Sequence, residues 1–306
     1  EDAGFGMKLF AMSTVLNTGL NYLLIFGKCG LPALGIQGAA VATLLARITE
    51  FAVCSFCAVR SRLLPIQWRA FFRPGWEMLR RFVKYSSPVV LNETAWGLGN
   101  SMLTVILGYT DNSVEMLAAN AVMGNLNRLF LVVCFGLGAA TAVIIGKSIG
   151  EGRSHQEVMD LSRTLLVFTA LVGAGLTALS LLLVPTLFVP VVFPLFKLYG
   201  ESAAIATALA VTGFLSIPLH AYSISAVTGV LRAGGDVFWS TLLDVGPQWC
   251  MALPLTALLA LVLKADYWWI AAAIQSESLL KVPLCALRIR TGQWIHDVTV
   301  RKERGQ

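Results

Sequence analysis

The feature that most constrains the fold is a recurring apolar run of about 20 residues, each separated from the next by a short connection. A helix rises 1.5 Å per residue, so about 20 apolar residues cross a hydrocarbon core of roughly 30 Å. The composition agrees, since hydrophobic residues make up 57% and charged residues only 13% of the chain. The runs predict eight membrane-spanning helices, over residues 9–27, 36–59, 85–108, 117–146, 163–184, 202–231, 238–263 and 268–287.

The basic residues predict which helix ends face the cytoplasm. They cluster in residues 60–84 and again from residue 288 onward, and the positive-inside rule places such segments in the cytoplasm. Few basic residues fall on the opposite side, namely Lys28, Lys197 and Lys264. The formal charge of +6 is therefore a topology signal, and no nucleic-acid partner is expected. We expect a multi-pass protein of the inner (plasma) membrane with a cytoplasmic C-terminus.

The third apolar run contains a carboxylate, Glu93. It lies nine residues beyond Lys84, so it is about 13 Å deeper and close to the membrane midplane. An ionisable residue at that depth costs on the order of 2.5 to 3.5 kcal/mol, and such residues usually bind ions or relay protons. Helical spacing places Trp96, Asn100 and Thr104 on or beside the same face. We hypothesise that Glu93 binds a coupling cation or proton. The alternative is a protonated Glu that is hydrogen-bonded within helix packing.

A two-helix hairpin recurs within the chain, because residues 9–59 map onto residues 239–289 at an offset of 230 (239 − 9). Two parallel copies of a helical unit, with substrate held between them, are a common transporter design. With six helices per unit, the last six form a complete copy and the first two are the end of another. The predicted division is a remnant of the amino-terminal lobe (1–59), a cytoplasmic connector (60–84), a six-helix carboxy-terminal lobe (85–290) and a cytoplasmic tail (291–306).

Each hairpin carries a pair of opposite charges in its second helix. Arg47 and Glu50 lie three residues apart, and Glu277 and Lys281 lie four apart, so each pair shares one side of its helix. An adjacent opposite charge allows both groups to stay buried. We expect the second pair to fix the cytoplasmic end of the last helix. The alternative is that Glu277 belongs to a proton path.

Six short segments carry a family resemblance that covers nearly the whole chain. They are Asn17–Gly27, Pro32–Thr43, Pro88–Glu93, Gly136–Gly146, Gly229–Asp236 and Gly292–Trp294. Together they resemble the multidrug and toxic compound extrusion (MATE) family, bacterial type. The resemblance implies an all-α polytopic membrane protein with two six-helix lobes, here truncated at the amino terminus by about four helices. It also implies a monomeric secondary active antiporter, which exports small organic, often cationic, compounds in exchange for Na⁺ or H⁺ by alternating access. Beyond the coupling ion no cofactor is implied, and the protein is not an enzyme.

Two departures from the family pattern affect the predicted site. Some members have an Asp at the position of Asn21, four residues after Asn17, and an amide there can coordinate Na⁺ but cannot take up a proton. Members with a carboxy-lobe site have a second acid in the tenth helix, but the matching region around Ala221 and Tyr222 has none. We therefore expect Glu93, with H⁺ or Na⁺ as its ligand, to be the only carboxylate of that site. Other candidates for the site or cavity lining are Trp96, Asn100, Asn120, Asn127, His220 and Ser223, whose alternative role is hydrogen bonding between packed helices.

The sequence also bears on three other functional classes. A membrane-embedded enzyme would need a nucleophile and base or clustered histidines, whereas His155, His220 and His296 fall in a loop, a helix and the tail. A lipid-linked oligosaccharide flippase has a similar architecture and often carries several basic residues in its cavity. Besides Lys281, only Arg128 is expected within the membrane part of the complete lobe, so the flippase is the alternative reading. A purely structural protein would not need an acid at the midplane.

Overall fold

The computed structural model describes residues 3–28, 30, 32–60 and 75–295. Most of the predicted connector and the tail from His296 onward lie outside the described residues. The chain divides into two compact units, Glu1–Arg80 and Arg81–Gln306. Each unit is described by itself.

The first unit contains a helical hairpin of α1 (Ala3–Phe26) and α2 (Gly35–Arg60). The two helices pack closely because Gly38 faces the backbone of Leu24, where an added Cβ would lie 2.6 Å from the carbonyl oxygen. Most large apolar side chains of this hairpin are exposed. That surface suits a hydrocarbon or protein environment and not water.

The second unit contains most of α3 and the helices that follow it. Among the described residues these helices are α3 (Trp76–Gly108), α4 (Ser113–Gly150), α5 (His155–Leu195), α6 (Glu201–Leu215), α7 (Ile217–Leu231), α8 (Val237–Val262) and α9 (Tyr267–Arg290).

Six of the described helices, α1, α2, α4, α5, α8 and α9, are long and apolar enough to cross a membrane, and α6 with α7 forms a seventh candidate. The prediction of an all-helical, multi-pass membrane protein is therefore confirmed. Helix α3 is outside this set, and it is the helix that carries Asn92, Glu93 and Asn100. These polar residues make α3 less apolar than the six helices of that set.

Proline positions explain where two helices depart from the predicted runs. The run 202–231 bends by 47° between α6 and α7, where Pro218 has no N–H to continue the helix. In α5 the helix continues past the predicted end at residue 184 to Leu195, through a π-helical stretch, Val184–Val192, that contains Pro190. A wider π turn accommodates the missing donor without ending the helix.

Small residues bring α4 and α7 together at one wall of the second unit. An added Cβ on Gly229 would lie 2.8 Å from Thr141 Cβ and 3.0 Å from the Gly138 carbonyl oxygen. Close backbone approach at such residues is the usual way in which membrane helices pack. Elsewhere in this unit, the buried Phe214 of α6 packs against Phe130 of α4 with ring centroids 5.1 Å apart.

The turn after α7 and the end of α9 are joined by charged and aromatic contacts. Arg288 Nε donates to Asp236 Oδ2 at 2.8 Å, and its guanidinium lies 5.0 Å from the Trp239 ring. The fully buried Trp294 lies against Gly234, and its Nε1 donates to a backbone carbonyl of α9 at 3.1 Å. These contacts fix the ends of α7, α8 and α9 against one another.

Candidate functional site

A cavity of 330 Å³ lies within the second unit, between α3, α4, α6, α7, α8 and α9. Six of the predicted residues line it, namely Glu93, Trp96, Asn100, Asn120, Asn127 and His220. Ser223 is buried within helix packing and is not part of the lining. The other two candidates, Asn17 and Asn21, belong to the first unit.

Helix α8 is held against α3 by a row of side chains on one face. Thr241 Oγ1 donates to the Pro88 carbonyl at 3.3 Å, and Trp249 Nε1 donates to the Ala95 carbonyl at 3.2 Å. Asp244 and Gln248, at helical spacing between these two contacts, therefore also face α3. This face brings the Asp244 carboxylate next to the polar stretch of α3.

Asp244 is a tightly bound carboxylate. Lys281 Nζ donates to Asp244 Oδ1 at 3.0 Å, and the buried Asn92 donates through Nδ2 to Asp244 Oδ2 at 2.9 Å. Lys281 also lies 3.9 Å from Glu277 Oε1, four residues earlier in α9, and only 6% of its side chain is exposed. Asp244 is thus linked to two helices by direct hydrogen bonds.

Glu93 is held much more loosely than Asp244. Its nearest polar contacts among the described residues are Asn92 Nδ2 at 3.4 Å and Arg232 NH1 at 3.6 Å, and 63% of its side chain is exposed. The Arg232 guanidinium also lies 3.7 Å from Asp244 Oδ2. Two carboxylates therefore share one guanidinium, and only one of them has further strong partners.

The expectation that Glu93 is the only carboxylate of this region is wrong. Asp244 comes from α8 and not from the bent helix in which a second acid was sought, because α8 packs directly on α3. The expectation that, besides Lys281, only Arg128 lies within the membrane part of this lobe is also corrected. Arg232 and Lys281 line the cavity, whereas Arg128 is exposed and does not. An acid within the apolar run 238–263 was the sequence signal that could have identified Asp244.

A second polar group lines the cavity wall formed by α7 and α9. His220 Nε2 lies 3.3 Å from Gln275 Oε1, and His220 Nδ1 lies 3.1 Å from Ser278 Oγ. Ser216 Oγ donates to the same Gln275 oxygen at 3.1 Å. These contacts suit the imidazole tautomer with its proton on Nε2, since Gln275 then accepts and Ser278 donates.

In the first unit, the predicted residues form a short amide chain. Asn21 Nδ2 donates to Asn17 Oδ1 at 3.0 Å, and Asn17 Nδ2 donates to Thr43 Oγ1 at 3.3 Å. The predicted charged pair is present as well, with Arg47 NH1 2.6 Å from Glu50 Oε2. Within the part of the chain that is described, no group of three or more His, Cys, Asp or Glu residues is placed to hold a metal ion.

The fold and the cavity together define a polytopic, all-helical membrane protein with a polar, charged chamber inside its bundle. Its curated relatives include the uncharacterized transporter YisQ of Bacillus subtilis, 23% identical over 282 residues, which cover 92% of this chain and 60% of YisQ. The multidrug resistance protein MdtK of Edwardsiella ictaluri is 26% identical over 300 residues, covering 93% of this chain and 62% of MdtK. No protein-family model matches the chain.

Solved structures give the same answer for the fold. A crystal structure of MATE in complex with MaL6 superimposes with a TM-score of 0.79 at 19% identity, over 95% of this chain and 64% of that one. The MATE transporter ClbM in complex with Rb⁺ gives 0.73 at 19% identity, over 94% and 62%. The chain is therefore similar to curated multidrug resistance proteins and shares the fold of the MATE structures, and it spans about three-fifths of the length of the curated relatives YisQ and MdtK.

Proposed function

We propose that this chain forms the ion-coupled lobe of a secondary active antiporter, which exports small organic cations in exchange for H⁺ or Na⁺. Support comes from relatives that are named as multidrug resistance proteins and from a chamber whose size suits a small molecule. The working protein is proposed to act as a monomer in the cell membrane, with the C-terminus of this chain in the cytoplasm.

The observation that carries the proposal is the charge of the cavity. Its lining includes three carboxylates, on Glu93, Asp244 and Glu277, and two cations, on Arg232 and Lys281, so the formal sum is −1 (2 − 3). One added cation neutralises this charge. A second added cation would leave a net positive charge inside the chamber, which is unfavourable at low dielectric.

The formal charge of −1 explains how cargo would exchange for the coupling ion. Cargo and coupling ion compete for one net negative charge, so binding of either lowers the affinity for the other, as linkage requires. Glu93 is the group at which they compete, because it is the exposed carboxylate with the weakest partners. The same charge sum disfavours a pyrophosphate-bearing lipid cargo, since both cavity cations already face carboxylates.

The test is ethidium efflux from proteoliposomes that contain the full-length protein, driven either by a pH gradient without Na⁺ or by a Na⁺ gradient at equal pH. We expect Glu93→Gln to lower the ion-driven rate at least about tenfold, since the amide cannot change charge. Asp160→Asn is the matched control, because this exposed acid pairs with Arg163 at the surface, outside the cavity. Transport by the Gln variant at the wild-type rate would overturn the proposal.

A further inference from the structure

Arg232 is a largely buried cation with unused hydrogen-bonding capacity. It follows the last residue of α7, and only 19% of its side chain is exposed. Its Nε and NH2 atoms are buried without a hydrogen-bond partner among the described residues. A buried guanidinium normally makes several charge-assisted hydrogen bonds, so this incomplete set needs an explanation.

The two carboxylates near Arg232, on Asp244 and Glu93, differ in how many other partners they have. Asp244 already accepts hydrogen bonds on both oxygens, from Lys281 and from Asn92. Among the residues that the structure describes, Glu93 has no comparable partner, and Arg232 NH1 is its nearest cation at 3.6 Å. Arg232 is therefore placed to compensate Glu93, the carboxylate with the weakest partners when no cation is bound.

We propose that Arg232 is the internal counter-ion of Glu93, which each incoming cation must displace, and that it thereby sets how tightly the cavity holds a cation. The proposal rests on the proposed function, because it assigns a specificity-determining role within the same site. When a proton, Na⁺ or an organic cation neutralises Glu93, the guanidinium stays paired with Asp244 at its present 3.7 Å. When the cation leaves, Arg232 again balances Glu93, so the net charge of −1 is not left on Glu93 alone.

The consequence is a trade-off between affinity and release. Without the Arg232 charge, the formal sum of the cavity charges falls from −1 to −2, so a cation binds more tightly. The same change slows cation release, because the cavity without a cation then has a charge of −2 instead of −1 and Glu93 has lost its nearest cation. A residue with a purely structural role would not produce tighter binding when it is removed.

The experiment compares ethidium binding and ethidium efflux for the full-length wild type, Arg232→Gln and Arg232→Lys. For Arg232→Gln we expect a Kd lower by about tenfold together with a lower maximal efflux rate. Arg232→Lys keeps the charge, so its Kd should stay within about twofold of wild type. If Arg232→Gln does not purify as a folded protein, Arg232→Met is used, and the same tightening is expected.

The outcomes separate this proposal from the proposed function. Unchanged or weaker binding in Arg232→Gln, with normal binding and efflux in wild type, overturns the role of Arg232 and leaves the antiporter intact. A wild type that neither binds nor transports ethidium overturns the cationic cargo, and the counter-ion role fails with it.

Discussion

The buried lysine of α9 provides a quantitative test of the described geometry. Lys281 has two acidic neighbours, Asp244 Oδ1 at 3.0 Å and Glu277 Oε1 at 3.9 Å, and all three side chains are largely buried. The perturbation is a pair of double-mutant cycles. One combines Lys281→Met with Asp244→Asn, and the other combines Lys281→Met with Glu277→Gln.

The distances set the expected difference between the two cycles. At an effective dielectric constant of about 20, unit charges attract by about 5.5 kcal/mol at 3.0 Å and about 4.3 kcal/mol at 3.9 Å. Both cycles share Lys281, so its desolvation cost cancels from the comparison. The Asp244 contact is also a charge-assisted hydrogen bond, which adds to its advantage. We expect the Asp244 coupling to exceed the Glu277 coupling by at least about 1 kcal/mol.

The assay is reversible unfolding of the full-length protein in mixed detergent micelles, followed by tryptophan fluorescence. Lys281→Met alone should destabilise by about 3 to 5 kcal/mol, because Glu277 loses its nearby cation and Asp244 keeps only Arg232, at 3.7 Å, of the two cations described beside it, and the double variants should recover part of that loss. The control cycle uses Lys264 and Asp111, which are 2.9 Å apart but 65% and 69% exposed, so their coupling should be at most about 1 kcal/mol. A Glu277 coupling equal to or larger than that of Asp244 would refute the reasoning.

Two further predictions concern packing and topology. Gly234→Ala should destabilise the protein by about 1 to 3 kcal/mol, since the added Cβ would lie 2.7 Å from the carbonyl oxygen of the buried Trp294. The control is Gly246→Ala, which should be neutral because the space around that Cβ is open. Equal unfolding curves for the two variants would contradict this prediction. A cysteine introduced at Arg62 or Arg69 should react with an impermeant thiol reagent only from the cytoplasmic side, and a cysteine at Lys28 only from outside. Labelling of Arg62→Cys in intact cells would overturn the predicted topology.

Apolar runs were enough to predict the helices, because lipid forces every backbone group to be satisfied within its own segment. The predicted spans 36–59 and 268–287 lie within α2 and α9 to within a few residues. The offset of 230 holds as well, since residues 35–60 shifted by 230 give 265–290, close to Tyr267–Arg290. Helix irregularities were less predictable, because a proline such as Pro190 can be absorbed by a π turn or can end the helix.

Side-chain partners across helices could be predicted only in part. The Glu277–Lys281 contact follows from a spacing of four within one helix, and the structure shows it at 3.9 Å. The shorter contact of Lys281, to Asp244, joins residues 37 positions apart. It depends on which faces of α8 and α9 meet, and periodicity within a single helix carries no information about that. Arg232 lies one residue beyond the predicted span 202–231, so the apolar run gave no sign that its side chain reaches the cavity.

The central claim is that cargo and coupling ion compete at Glu93, and ion release on cargo binding tests it most directly. Purified full-length protein would be mixed with excess ethidium in weakly buffered solution with a pH indicator, and in parallel after equilibration with ²²Na⁺. The wild type should release about one proton or one Na⁺ per ethidium bound, and Glu93→Gln should release none. Equal release from wild type and Glu93→Gln, or ethidium binding by the wild type without release of either ion, would contradict the account.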